Sequence, residues 1–258
     1  MIIWNFTGLI CSNPFEITAK KILIDIPNCS DNYNKIFKEC NLKYDNIIVK
    51  SEYHREQIEK INNIDKSKII VIPNGIRYNN FINCEENRNP YRFCYCNNLN
   101  SGFTILEKIW SIIYNYEPKS ELHIYNLHDL NISEEHKNRC DKFLCSPGVM
   151  YHGNQPIDMI SREKKISKYD FFTSTSLLDV NDMYLKESLL SGCIPITLNL
   201  GMYKNMDGIK IENIDNEYRF IAINVINIIK KNKDFNELVK NKMTEQEDWE
   251  HISSLWSI

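Results

Sequence analysis

The chain has 258 residues, of which 43% are hydrophobic and 25% are charged, and its formal net charge is −3. This composition is ordinary for a globular protein, and the length suffices for one large domain or two small ones. So small a charge gives no electrostatic basis for binding nucleic acid or an anionic membrane. No apolar run approaches the roughly 18 residues that a membrane-spanning helix requires. We therefore expect no nucleic-acid partner and no transmembrane segment.

The first segment, residues 1–76, is predicted to form a small α/β unit. Its opening stretch MIIWNFTGLICSNPF lacks the basic start and the cleavage site of a signal peptide, so we interpret it as a first strand and loop. Further short strands are predicted at 21–26, 46–51 and 68–75, and a helix follows the second of these from Glu52. The polar, irregular stretch 77–90 is interpreted as a linker.

From Tyr91 to about residue 230, short apolar strands alternate with helical segments. The predicted strands cover 92–96, 121–126, 149–153, 169–175, 193–198 and 208–212; the predicted helices cover 102–116, 133–144, 156–167 and 183–191. This alternation predicts an α/β protein with a doubly wound parallel sheet. Residues 231–258 are expected to form closing helices that carry Trp249 and Trp256.

The nine cysteines are odd in number and include no CxxC pair. Histidine and cysteine do not cluster at the spacing of zinc ligands, so no metal site is expected. In the predicted strand RFCYC, Cys94 and Cys96 should face the same side. Buried thiols in a reducing compartment are the preferred interpretation, which predicts a cytoplasmic protein. Heavy use of Asn, Ile and Lys is typical of AT-rich coding, as in a large DNA virus.

The stretch 169–199, YDFFTSTSLLDVNDMYLKESLLSGCIPITLN, is the strongest candidate for a functional site. It predicts a buried strand, an acidic loop, a helix that Gly192 ends, and a second strand. Ligands of open α/β sheets bind at the carboxyl ends of the strands, where this loop lies. Asp179 and Glu187 could bind the vicinal hydroxyls of a ligand, because carboxylates accept paired hydrogen bonds. Alternatively, they are ordinary acids near a helix N-terminus, which the helix dipole favours.

Several stretches, in order along the chain, resemble retaining GT-B glycosyltransferases, the glycosyl transferases group 1 family. The pattern D-x7-E before SLLSGCIPI resembles the E-x7-E signature with which that family binds nucleotide sugars. YDNIIVKSEYHREQIEKINNIDKSKIIVIPNGI resembles the segment that links the two domains of these enzymes. YEPKSELHIYN, VMYHGN and the terminal EDWEHISSLW resemble a helix-to-strand step, a strand and the closing tryptophan helix. The resemblance covers roughly residues 45–258.

The resemblance implies roles for individual residues. The fold is expected to be the Rossmann-like C-terminal half of a GT-B fold, and 91–230 is expected to bind the nucleotide sugar. Glu187 is expected to bind the ribose hydroxyls, and Asp179 to meet the transferred sugar as the catalytic residue. The remaining donor-binding candidates are the backbone N–H groups of Val180, Asn181, Asp182 and Met183 near the diphosphate, with Gly153 under the base and His152 beside it.

Three departures from the family pattern bear on activity. Asp179 is one methylene shorter than the glutamate usual at its position. Ser101 stands where the family carries an arginine, so the stretch CNNLNSGF offers Asn98 and Ser101 as hydrogen-bonding groups but no cation. A lost charged hydrogen bond to a leaving diphosphate costs roughly 1.5–3 kcal/mol. The segment before 77 is also shorter than a full acceptor domain, which predicts a truncated N-terminal α/β segment.

The preferred hypothesis is a glycosyltransferase that passes a sugar from a nucleotide-sugar donor to a glycan or other acceptor hydroxyl, with retention. No cofactor or metal ion is expected, because GT-B enzymes stabilise the diphosphate with side chains and helix dipoles. The alternative is a non-catalytic donor-binding module, or one half of a split enzyme whose partner protein supplies the acceptor domain. A Rossmann-type oxidoreductase is disfavoured, since no GxGxxG follows any strand.

Overall fold

The computed structural model describes residues 2–4, 19–27, 44–62, 64–82, 89–96, 102–125, 133–153, 169–176, 182–206, 208–211, 218–231 and 249–256. Contacts within the chain divide it into two compact units. The first unit comprises 1–75, 178–181 and 246–258, and the second comprises 76–177 and 182–245.

Strands and helices alternate along both units. The first unit contains β1 Ile2–Trp4, β2 Leu23–Asp25, β3 Asn46–Val49, α1 Glu52–Asn62, a 3-10 turn Lys66–Lys68, β4 Ile69–Val71 and, at the end of the chain, α7 Trp249–Ser254. The second unit contains α2 Tyr78–Ile82, β5 Asn89–Tyr95, α3 Phe103–Tyr116, β6 Glu121–Ile124, α4 Glu134–Leu144, β7 Val149–Tyr151, β8 Tyr169–Ser174, α5 Met183–Leu190, β9 Ile194–Leu198, a 3-10 turn Gly201–Asn205, β10 Ile209–Ile211 and α6 Tyr218–Lys231.

The first unit is built on a parallel sheet with the strand order β1-β2-β3-β4. Its two faces follow from the alternation of side chains along a strand. Ile24 and Ile47 pack on one face with Ile58 of α1, whereas Ile48 packs on the other face with Ile252 of α7. Helices on both faces bury both sides of the sheet, which explains the nearly continuous apolar strands.

The second unit is built on a six-stranded parallel sheet with the order β10-β9-β8-β5-β6-β7. One face packs against α3, α4 and α6, with Phe93 of β5 stacked on Phe171 of β8 at a centroid distance of 4.7 Å. The opposite face packs against Leu185 and Leu189 of α5. Helices on both sides make this sheet doubly wound, which confirms the fold class predicted from the sequence.

Most predicted elements agree with the structure, and the differences have local causes. The stretch 77–90, expected to be irregular, contains α2 and the first residues of β5. The helix α2 is stabilised by Phe81, which is buried against Ile76 and Leu190. Trp249 begins α7, but Trp256 lies two residues beyond its end. The helix predicted over 156–167 lies outside the described residues.

The paired thiols of β5 lie as the alternation predicts. Cys94 and Cys96 share the buried face that packs against α5, and their Sγ atoms are 3.4 Å apart. Burial raises the pKa of the Cys94 thiol well above its ordinary value, so this group is protonated at neutral pH. The pair therefore serves as small apolar packing in the sheet.

Candidate functional site

The strand order of the second unit locates the edge at which a ligand is expected. From β5 the chain proceeds through β6 to β7 on one side, then crosses to β8 on the other. Open α/β sheets bind ligands at the carboxyl ends of the strands where the order reverses, here between β5 and β8. The loops that follow these strands, 97–101 and 177–181, contain the predicted residues Asn98, Ser101, Asp179, Val180 and Asn181, all outside the described residues.

The ends of both loops are held against each other. The hydroxyl of Thr175, just after β8, donates to the carbonyl oxygen of Gly102, the N-cap of α3, at 3.0 Å. Gly102 has φ 121°, and a Cβ built on it would lie 1.9 Å from the Thr175 carbonyl oxygen. Only glycine permits both this backbone conformation and this approach. The contact holds the residue that follows β8 against the start of α3.

Asp182 anchors the start of α5. One carboxylate oxygen accepts from the N–H of Leu185 at 2.9 Å, the N-cap geometry that favours aspartate. The other accepts from the Ser174 hydroxyl at 2.5 Å and from the Tyr203 hydroxyl at 3.2 Å. The N–H of Asp182 donates to the sulfur of Met202 at 3.3 Å. Both the side chain and the N–H of this predicted donor-binding residue thus hold the helix in place.

Replacing Asp182 with alanine is expected to lower the free energy of unfolding by about 2–4 kcal/mol. The change removes a helix cap and the carboxylate oxygen that accepts from both buried hydroxyls, those of Ser174 and Tyr203. Urea unfolding measures the effect. Ser133→Ala is the matched control, because Ser133 caps the exposed start of α4 through a single hydrogen bond to His136 N. It should cost about 1 kcal/mol, and equal losses in the two variants would contradict the network at Asp182.

Glu187 lies on α5 and is 3% exposed. The helix itself is buried on nearly every side. Glu187 is therefore not a solvated surface carboxylate. Its neighbour Lys186 is also buried, at 7% exposure. Met183, at the first position of α5, packs against Phe81 and Ile76. A buried carboxylate is costly unless hydrogen bonds satisfy it, so Glu187 occupies a position where polar partners are required.

His152 and Gly153 lie directly after β7, at the same edge of the sheet. Gly153 has φ 77°, and a Cβ built on it would meet no atom within 4 Å. His152 is exposed, its ring lies 4.3 Å from that of Tyr125 with planes 7° apart, and its Nε2 is 2.9 Å from Nδ1 of His123. Three strand spacings of about 4.8 Å separate β7 from β8. A ligand that reached from His152 to α5 would therefore be elongated.

A set of polar groups behind His152 was not found from the sequence. His123 Nε2 lies 3.2 Å from Glu121 Oε2, and the same oxygen accepts from Arg92 Nε at 2.8 Å. The hydrogen bond from Arg92 lowers the pKa of Glu121, whereas burial lowers the pKa of His123. The alternation in ELHIYN places Glu121 and His123 on one face. Their contacts with Arg92 and His152 depend on the strand register, which the sequence does not reveal.

Two further observations concern the described ranges as a whole. Within them, no three His, Cys, Asp or Glu side chains are grouped so as to hold a metal ion. None of the helices described is both long enough and apolar enough to cross a membrane.

Comparison with known proteins gives similarity at the level of the fold. The sequence matches no protein-family model and no curated protein sequence. A variant of TarM from S. aureus, in complex with fondaparinux, alpha-GlcNAc-glycerol and UDP, has a TM-score of 0.72 at 15% identity, covering 92% of this chain and 50% of that chain. The pneumococcal O-GlcNAc transferase GtfA, in complex with UDP and GlcNAc, has a TM-score of 0.73 at 14% identity. That match covers 92% of this chain and 51% of that chain.

A third similar structure is that of HepE from Anabaena in complex with UDP and glucose. Its TM-score is 0.73 at 11% identity, and the match covers 92% of this chain and 72% of that chain. The present chain spans about half the length of TarM and GtfA. Each of these matches covers about nine-tenths of the present chain. The chain therefore has the GT-B fold of these glycosyltransferases.

Proposed function

We propose that this protein is a glycosyltransferase that binds a nucleotide sugar at the edge of the second sheet and transfers the sugar to an acceptor hydroxyl. The observation that carries the proposal is the match, over 92% of the chain, to GT-B structures that contain UDP together with a sugar. The buried Glu187 supports it, because a carboxylate on the helix that follows β8 suits the vicinal hydroxyls of a ribose.

Each residue of the proposed donor site has a distinct role. Glu187 binds the ribose hydroxyls, and Asp179 contacts the transferred sugar, whose anomeric configuration is retained. The segment from Val180 to Met183 approaches the diphosphate at the start of α5, where the positive end of the helix dipole favours an anion. His152 and Gly153 lie beside the base, and Asn98 and Ser101 offer uncharged hydrogen bonds from the loop after β5. No metal ion or other cofactor takes part in this proposal.

A second candidate is favoured by one observation in the sequence, the absence of a cation from the stretch CNNLNSGF. Without that charge the site could bind a donor and yet stabilise a leaving diphosphate poorly. In that case the chain is a donor-binding module, or works with a partner protein that supplies the acceptor domain. For either candidate we propose a reducing compartment such as the cytoplasm, which the free thiols among the described cysteines support.

Thermal-shift measurements with UDP, GDP, ADP and dTDP, followed by incubation with the matching nucleotide sugars, test the proposal. A ligand at one hundred times its Kd stabilises a protein by about 2.7 kcal/mol, which raises the melting temperature by several degrees. Mass analysis then shows whether the donor is hydrolysed or transferred. Binding with turnover supports the glycosyltransferase, and binding without turnover, with or without an added acceptor, supports the module. No shift with any of the four nucleotides would refute both.

A further inference from the structure

A chain of hydrogen bonds runs along the second sheet from β5 to the exposed histidine after β7. It consists of Arg92, Glu121, His123 and His152, which we call the histidine relay. The contacts are 2.8 Å from Arg92 Nε to Glu121 Oε2, 3.2 Å from Glu121 Oε2 to His123 Nε2, and 2.9 Å from His123 Nδ1 to His152 Nε2. The parallel register pairs Arg92 with Glu121, so these contacts follow from the sheet itself.

The first contacts determine which nitrogen of His123 carries hydrogen. The hydrogen bond from Arg92 lowers the pKa of Glu121, so this carboxyl is ionised at neutral pH and can only accept. His123 Nε2 must therefore donate to it. Burial lowers the pKa of His123 below its ordinary value, so the ring is neutral and carries one hydrogen. The other nitrogen, Nδ1, is consequently an acceptor.

The surroundings of His123 keep it neutral. The titratable and charged groups that face it from the neighbouring strands are Arg92 and Cys94 of β5, Glu121 and Tyr125 of β6, Tyr169 of β8, and His152 after β7. Burial raises the pKa of Tyr125 to about 12 and raises the pKa of Tyr169 and Cys94 as well, so these three are uncharged. The opposite charges of Glu121 and Arg92 shift the pKa of His123 in opposite directions.

The hydrogen bond between the two histidines determines the tautomer of His152 as well. Since His123 Nδ1 accepts, His152 Nε2 must donate across the 2.9 Å that separates them. The two ring planes differ by 9° and their centroids are 5.1 Å apart, a geometry that suits an edge-to-edge hydrogen bond. Tyr125, stacked on the His152 ring at 4.3 Å, holds the plane of that ring. Neutral His152 then has hydrogen on Nε2 and a lone pair on Nδ1.

We infer that Glu121 and His123 are positioning residues that fix His152 as the Nε2–H tautomer and orient it for the nucleotide. The part of this inference that concerns a nucleotide rests on the proposed function. Any hydrogen bond that Nδ1 of neutral His152 makes is one that it accepts. The ligand group that it recognises is therefore an N–H of the base or a hydroxyl of the ribose or sugar, and not an oxygen of the diphosphate.

Nitrogen-15 NMR of the ligand-free protein, labelled at histidine and recorded at pH 7.5, tests the tautomers directly. Two-bond correlations between ring protons and ring nitrogens show which nitrogen carries hydrogen. His152→Gln and His123→Gln assign the two rings among the six histidines of the chain. We expect the Nε2–H tautomer for both. An Nδ1–H tautomer at His152 in the wild-type protein would overturn the inference whether or not any nucleotide binds.

Two variants of equal length and charge then separate the hydrogen bond from other effects of Glu121. Glu121→Met removes the acceptor that His123 requires, whereas Glu121→Gln keeps an acceptor oxygen in the same place. Only the methionine variant should lose the single tautomer of His152. Its affinity for UDP, measured by calorimetry, should fall roughly two- to tenfold, the equivalent of one hydrogen bond. The glutamine variant should stay within about twofold of wild type, since its acceptor remains.

The outcomes separate this inference from the proposed function. If the wild-type protein does not bind UDP or another nucleotide, the proposed function fails, while the spectra of the ligand-free protein still decide the tautomers. If the methionine variant changes tautomer but binds UDP as the wild type does, the role of the relay in recognition is refuted. Identical spectra for the methionine and glutamine variants would refute the relay itself.

Discussion

Replacing Glu187 with glutamine is expected to weaken the binding of UDP by roughly 10- to 150-fold. A hydrogen bond to a charged group contributes about 1.5–3 kcal/mol, which corresponds to that range of dissociation constants. Glu187 is 3% exposed on α5 and, in the proposed site, accepts from the two ribose hydroxyls. Glutamine keeps the shape of the side chain but removes its charge and replaces one acceptor with a donor. Isothermal titration calorimetry with UDP measures the change.

The control for this experiment is Glu134→Gln. Glu134 lies in the first turn of α4 and is exposed, so the same chemical change occurs on a helix outside the proposed site. It should leave the affinity for UDP within about twofold of wild type, because a screened surface charge contributes little. Equal affinities for UDP in the wild-type protein and in Glu187→Gln would show that Glu187 is a structural carboxylate and would remove it from the donor site.

Replacing Gly102 with alanine is expected to destabilise the second unit by roughly 2–6 kcal/mol. A backbone conformation with φ 121° costs an ordinary residue about 1–3 kcal/mol. The new Cβ would also lie 1.9 Å from the carbonyl oxygen of Thr175, and relieving that clash requires a shift of backbone that costs roughly a further 1–3 kcal/mol. Urea unfolding followed by circular dichroism measures the loss. UDP binding should weaken as well, because both loops at the strand-order reversal begin or end at this contact.

Gly153→Ala separates the cost of the backbone conformation from the cost of the Cβ clash. Gly153 also has a positive φ, 77°, but a Cβ on it meets no atom within 4 Å. It should therefore show only the conformational cost of about 1–2 kcal/mol. A loss at Gly102 no greater than that at Gly153 would mean that the loop ends move apart easily. The close contact between Gly102 and Thr175 would then have no part in fixing the site.

The sequence by itself determined the local structure and the fold class. Apolar runs that alternate with amphipathic segments predicted the strands and helices, because one periodicity buries strand faces and another buries one side of a helix. Ser133 predicted the start of α4, and Gly192, with φ 78°, predicted the end of α5. The two-residue spacing of Cys94 and Cys96 predicted their shared face. Each of these properties depends on neighbours within a few positions along the chain.

Tertiary structure alone decided which distant groups meet. Asp182 caps α5 locally, but its partner Tyr203 is 21 residues away. The burial of Glu187 required the packing of a whole helix, since an amphipathic pattern would have left a carboxylate in solvent. The contact of Glu121 with Arg92 and that of His123 with His152 needed the register of three parallel strands. Sequence periodicity gives the face of a side chain, whereas its neighbours across a sheet depend on strand order and register, which form only in the folded protein.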